Sequence, residues 1–159
     1  MHNCRFAFAV HVMAVLGIKK HSHSPSSQLA ETVNTNPVVI RRILIELQNS
    51  GLISTSRGPY GGSILTRKPD KVTLREIRRA VEKGGLFGSH PNRPSRKCPV
   101  GRSINKVMLR IADRAEKAVE RELDKITLAD VLRELESREG NFTTEPQSAR
   151  SQEEGNRAF

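Results

Sequence analysis

Pro37 and Gly51 bracket a stretch whose apolar residues recur at helical spacing, and two short β-rich runs follow it directly. Pro37 suits the first turn of a helix, where its missing N–H has no intrahelical partner and its fixed φ already fits. Asn36 before it is a good N-cap, since its side-chain oxygen can accept from first-turn N–H groups. Val39, Ile43, Leu44 and Leu47 form the apolar stripe and leave Val38, Arg41, Arg42, Gln48 and Asn49 pointing elsewhere. Gly51 stands where a left-handed residue ends the helix. Residues 52–57 and 63–67 then read as the strands of a hairpin, with Gly58-Pro59-Tyr60-Gly61-Gly62 as the turn. A tip of this kind leaves backbone N–H groups open to a phosphate, and Arg57 adds charge and donors.

The residues upstream complete a larger motif. Pro25-Ser26-Ser27 opens a short helix over 28–33 with Leu29, Ala30 and Val33 facing inward, and Asn34-Thr35-Asn36 breaks it. Two helices joined by about three residues, the second with a polar outer face, make a helix-turn-helix. The second helix can enter a major groove with its N-terminal residues toward base edges. With the glycine-tipped hairpin the unit becomes winged. The competing reading is a helix and hairpin of an ordinary α+β domain with a solvated arginine pair.

Charge points to the partner. The 159 residues carry a formal charge of +10 and a pI near 10.3, so an acidic polymer is the natural ligand. Residues 1–111 hold 19 Lys and Arg against 5 Asp and Glu, and residues 112–159 hold 8 against 12. The basic excess therefore belongs to the part with the helix and hairpin. Two cysteines cannot form a disulfide framework, no leader pattern opens the chain, and no apolar run reaches the ~20 residues of a membrane helix. These features lead us to expect a cytoplasmic protein with reduced thiols and no membrane partner.

The remaining segments are read in order. Residues 4–18 are apolar nearly all round, so this helix is expected at the centre of the domain or in a dimer interface, with His11 buried and satisfied by a backbone carbonyl. His21 and His23 lie in a polar loop and lack a third ligand for a metal. Residues 71–83 restart a helix behind a Thr73-x-x-Glu76 capping box, with Arg75, Arg78 and Arg79 on its polar side, either solvated or on DNA. Residues 84–101 form a Gly/Pro/Ser-containing loop. Its one cysteine, Cys98, lies beside Arg96 and Lys97 before a helix start, a candidate thiol switch whose alternative is half-buried packing against that helix.

Residues 103–124 make the longest helix, about 33 Å at 1.5 Å per residue. Ile104, Val107, Met108, Ile111 and Ala115 lie along a seam spaced near 3.5 residues, which suits packing against a second copy; a core helix within one chain is the alternative. Thr127-Leu128-Ala129-Asp130 opens a short helix expected to pack on the other subunit. Beyond Gly140 the chain has almost no apolar residue and is expected to be a disordered tail.

TNPVVIRRIL, the Arg57-Gly58-Pro59-x-Gly61-Gly62 wing and VTLREIRRAVE occur in an order that resembles the Rrf-type winged-helix regulators of bacteria, over roughly residues 4 to 135. The resemblance implies a homodimer with the second helix of the motif in the major groove and the wing arginine at the minor groove. It places Asn36, Val38, Arg41, Arg42 and Arg57 at bases or backbone, with Thr35, Tyr60 and Gly61 beside them and Ser27 and Gln28 near phosphates. Cluster-binding relatives carry three loop cysteines, whereas this chain has Cys98 alone. A cluster normally takes four ligands, so Cys98, His90, His11 and Cys4 would have to converge. The CPVG form resembles the subgroup in which no cluster is implied, and no cofactor is expected.

The fold expected is therefore mainly α with a small β-hairpin: a winged helix-turn-helix over 1–83, a linker or sensor loop over 84–102, a dimerisation helix and short C-terminal helix over 103–139, and a tail over 140–159. The function expected is a sequence-specific transcriptional regulator, a repressor that binds double-stranded DNA as a homodimer, with no catalytic residue and no metal. A thiol enzyme using Cys98 and His90, or a protein-interaction module on the same fold, are the alternatives.

Overall fold

Two residues in the left-handed region set where the central helices start and stop. In the computed structural model, which describes residues 4–19, 22–58, 60–88, 92 and 94–140, helix α1 spans Arg5–Ile18, α2 Ser26–Val33 and α3 Pro37–Asn49. Asn34 ends α2 at φ 53°, its N–H bonding to the Glu31 carbonyl and that of Thr35 to the Ala30 carbonyl at 3.1 Å. This paired closure satisfies the last carbonyls of α2 and turns the chain in three residues, and asparagine tolerates the conformation better than other side chains. Asn36 then caps α3, its Oδ1 accepting from the Val38 N–H at 2.8 Å. Gly51, at φ 70°, closes α3 in the same way through Gly51 N–H to the Gln48 carbonyl and Leu52 N–H to the Leu47 carbonyl.

Strands β1 (Ile53–Ser56) and β2 (Gly62–Leu65) pair antiparallel with Ile53 opposite Leu65 and Ser56 opposite Gly62. The hairpin is anchored from outside as well. Ser24, just before α2, exchanges both backbone hydrogen bonds with Ser63 at 3.1 and 2.9 Å, and both residues are buried. Gly62 makes this approach possible: at φ 153°, a Cβ there would stand 2.6 Å from the Ser24 backbone.

A 3-10 turn at Pro69–Lys71 leads to α4 (Leu74–Val81), α5 (Pro99–Asp124) and α6 (Leu128–Glu139). Both predicted cap boxes form: Thr73 accepts from the Glu76 N–H and Thr127 from the Asp130 N–H, with each carboxylate returning the bond. One core gathers Val12, Met13 and Leu16 of α1, Leu29 of α2, Ile40, Ile43, Leu44 and Leu47 of α3, Ile77 and Val81 of α4, and Leu128 of α6. Each such side chain contributes about 1.5–3 kcal/mol when removed from water.

Several expectations are revised. Ile40 joins the buried stripe of α3, whereas Val39 is half-buried. Helix α1 buries one broad face and leaves Cys4, Ala7 and His11 exposed, so His11 is not a core histidine in this chain. Helix α5 begins at Pro99, giving 26 residues and about 39 Å. Helix α6 packs on its own chain: Leu128 is fully buried, Thr73 and Thr127 form an antiparallel bridge, and Leu132 lies so close that a Cβ on Gly17 would meet it at 2.9 Å.

The arginines of α4 are all paired within the chain, Arg78 buried, Arg75 half-buried and Arg79 exposed. Arg78 is 5% exposed, with Nη2 2.6 Å from Glu116 of α5 and Nε 3.0 Å from Glu82. Burial works against its charge, and the two carboxylates outweigh that and raise its pKa above the ordinary guanidinium value. Arg79 donates from Nε to Glu120 at 2.7 Å, and Arg75 Nη1 lies 3.2 Å from Asp124. The proposed tail and the His21 and His90 positions lie outside the described residues.

Three carboxylates carry a pH signature. Burial works to raise Glu76, and the Thr73 backbone N–H and the Arg67 guanidinium outweigh it and hold the carboxyl below its ordinary 4.5. The Arg79 hydrogen bond holds Glu120 low, and the Thr127 hydroxyl and N–H do the same for Asp130. Groups depressed in the folded state stabilise it fully above their unfolded values and lose that contribution as the pH falls through the folded ones. Thermal midpoints are therefore expected to be flat down to about pH 4.5 and to fall below it, with Glu76→Gln, which can still cap, flattening the fall. Gly62→Ala is expected to cost about 1–3 kcal/mol in chemical denaturation, because the new methyl drives β2 away from Ser24.

Candidate nucleic-acid interface

The outward face of α3 is fixed by the residues behind it. Ile40, Ile43, Leu44 and Leu47 are held in the core, so Val38, Arg41, Arg42, Gln48 and Asn49 are exposed on the opposite side. Asn36 lies exposed at the helix N-terminus, with Thr35 half-buried before it. The first-turn N–H groups of α3 are satisfied by Asn36, and the positive end of the helix dipole lies toward the same end as the two arginines.

Helix α2 presents a second edge. Ser27 and Gln28 are exposed in its first turn, and Lys19 donates from Nζ to Gln28 Oε1 at 2.7 Å, which adds a cation beside them. The wing supplies a third: Arg57 and Gly58 are exposed, Tyr60 is 94% exposed and Gly61 is half-buried against the Ser56 carbonyl. Every DNA-contact position read from the sequence is thus solvent-accessible, although helices α2 and α3 bury their other faces.

Sequence reasoning missed Ile45. It is 57% exposed on the outward face of α3, one turn beyond Arg41 and Arg42. A helical wheel carries the signal, since seven residues after Val38 bring a side chain back to within about 20°. Glu46, the one carboxylate of α3, is turned aside by an ion pair with Arg5 of α1, and Arg5 Nε also donates to the Val81 carbonyl at 3.2 Å.

The other predicted residues lie apart from this face. No residue of α5 is buried. Val107, Met108 and Ile111 are 38–50% exposed, Ile104 and Ala115 are half-buried, and the five share one side of the helix. With Phe87 and Leu109, Ile104 and Met108 line a shallow apolar groove of about 320 Å³. The 84–98 loop is tied down at its start, where the Leu86 N–H donates to Glu116 at 3.0 Å. Cys98 is exposed as the N-cap residue of α5, with its carbonyl accepting from Arg102, so it does not pack the loop against the helix as half-buried filler.

The Rrf2 family model, described as an iron-dependent transcriptional regulator, matches residues 2–134. YwnA of Bacillus subtilis (strain 168), named as an HTH-type transcriptional regulator, is 36% identical over 136 residues, covering 85% of this chain and 99% of YwnA. The solved structure of CymR, described as the global cysteine regulator of B. subtilis, aligns with TM-score 0.60 at 24% identity over 84% of this chain and 97% of CymR. That of T. potens IscR aligns with TM-score 0.66 at 22% identity over 90% and 93%. These two likenesses establish the fold.

The iron in the family's description does not fit this chain's donors. Cys4 and Cys98 are both exposed, one at the start of α1 and the other at the start of α5, and among the described residues no three His, Cys, Asp or Glu stand together as metal ligands. A cluster held by four protein ligands cannot be assembled from that set within the described chain. The family match, the identity to YwnA and the winged helix-turn-helix together place this chain in the Rrf2 family of DNA-binding transcriptional regulators, which are not enzymes.

Proposed function

We propose that the chain acts as a homodimer that binds a pseudo-palindromic operator and represses transcription by occluding it. The observation that carries this reading is a division among the arginines. Arg41, Arg42 and Arg57 are exposed and have no carboxylate partner among the described residues, whereas Arg75, Arg78 and Arg79 are each paired with a carboxylate of α5. Guanidinium groups left open on a helix face and a wing are available to neutralise phosphates and to fork onto guanine edges. In this reading α3 enters the major groove N-terminus first, with Asn36, Val38, Arg41 and Arg42 toward the bases. Arg57, with Tyr60 and Gly61, lies along the flanking minor groove, and Ser27, Gln28 and Thr35 face phosphates.

One winged unit reads one half-site, so an operator with two requires two copies on a twofold axis. A 26-residue helix with no fully buried residue and an apolar side largely open supports α5 as the joint, through Ile104, Val107, Met108, Ile111 and Ala115. Cys98, exposed where the loop meets α5, is the candidate thiol through which a redox signal would reach that joint. No described helix is long and apolar enough to cross a membrane, and we place the regulator in the cytoplasm with its thiols reduced.

Filter binding against a selected operator and random DNA, at several salt concentrations, tests the assignment. Arg41→Ala is expected to lower operator preference about tenfold with little change in stability, within the 1–3 kcal/mol of one base contact. Arg78→Ala is expected to cost about 3 kcal/mol of stability, because it strips Glu116 of its buried cation, and to leave sequence preference intact. Equal weakening of operator and random DNA by both changes would remove α3 as the reading helix. For the joint, Met108→Glu is expected to yield monomers in sedimentation and to abolish operator binding while helix content stays the same. A Met108→Glu protein that remains dimeric refutes the α5 interface.

A further inference from the structure

We infer that Ile45 is a base-reading residue whose side chain meets the C5-methyl group of a thymine in the major groove. The inference rests on the assignment of α3 as the reading helix and adds a specificity determinant to it. Ile45 is 57% and Val38 48% exposed, and neither belongs to the hydrophobic core or to the half-buried shell around it. A single apolar side chain on a polar surface is ordinary and needs no explanation. These two are aligned, however. At 100° per residue, Ile45 lies about 20° from Val38, with Arg41 and Arg42 on opposite sides of the line joining them. The face thus carries two apolar contacts in register, flanked by cations, with Gln48 and Asn49 beyond and Glu46 drawn off toward Arg5.

The chemistry of the groove supplies one apolar counterpart. Among the edges that unmodified base pairs present there, the thymine methyl is the only apolar group, and the rest are donors and acceptors. Valine and isoleucine are suited to it because β-branching leaves them one strongly preferred χ1 in a helix, so a methyl is presented at a fixed place with little further loss of freedom. Seven residues advance about 10.5 Å along α3, which separates the two contacts. The two side chains therefore call for two different thymine-bearing steps in each half-site.

The experiment removes methyl groups and nothing else. Wild-type protein selects its preferred duplex from a random pool, and each thymine of that duplex is then replaced in turn by deoxyuridine. Wild type is expected to lose about fourfold in affinity at two steps of each half-site, the value of one methylene-sized apolar contact. Ile45→Ala is expected to become indifferent at one of those steps and to stay sensitive at the other, with Val38→Ala giving the converse pattern. Wild type indifferent to every deoxyuridine overturns the inference without calling on any variant, as does an Ile45→Ala profile identical to that of wild type. Failure of wild type to retain any duplex in a salt-dependent way overturns the DNA-reading assignment together with this one. Retention with no methyl response overturns the Ile45 role alone.

Discussion

The buried Arg78 guanidinium determines how the two halves of this chain hold together. Helix α5 has no fully buried residue, and three of its carboxylates tie it to α4: Glu116 on Arg78, and Glu120 and Asp124 on Arg75 and Arg79. A cation this deeply enclosed is tolerable only because carboxylates meet it with short, directed contacts. Glu116 also accepts the Leu86 N–H, so the same carboxylate fixes the start of the loop that leads to Cys98. The far end of α5 is held differently, through the apolar seat of Leu128 and Leu132 against the core.

That arrangement explains where the positive charge goes. Glu116, Glu120 and Asp124 of α5 are used on the arginines of α4, so those three cations are neutralised where they stand. Arg41 and Arg42 of α3 and Arg57 at the wing are exposed with no carboxylate partner among the described residues, and so are Arg102, Lys106, Arg110 and Arg114 of α5. Net charge alone would not have located the interface. Local neutralisation sets the arginines of α4 apart from those of α3, because an ion-paired guanidinium has less left to offer a phosphate.

The geometry of the reading unit is set before any ligand arrives. Asn34 and Gly51 close α2 and α3 with left-handed residues, Asn36 caps the helix between them, and the Ser24–Ser63 bridge holds the hairpin to the segment that opens α2. The caps and turns are local, the Ser24–Ser63 bridge spans 39 positions, and together they leave the relative placement of α2, α3 and β2 little freedom. A rigid platform loses less on binding than one that must be ordered by its ligand.

Much of this was legible in the chain itself. Caps, turns and short hairpins are decided by interactions within a few residues, so Asn36, Thr73, Thr127 and Gly51 announce their roles in the sequence. The polar face of α3 followed from the same periodicity. What the sequence could not determine were the long-range choices: that Arg78 is buried on Glu116 across 38 positions, that α6 folds back on α1 of its own chain, that His11 faces out, and that Ile45 is left uncovered. Helical periodicity specifies which residues share a face, and only the packed neighbours decide whether that face meets protein or water.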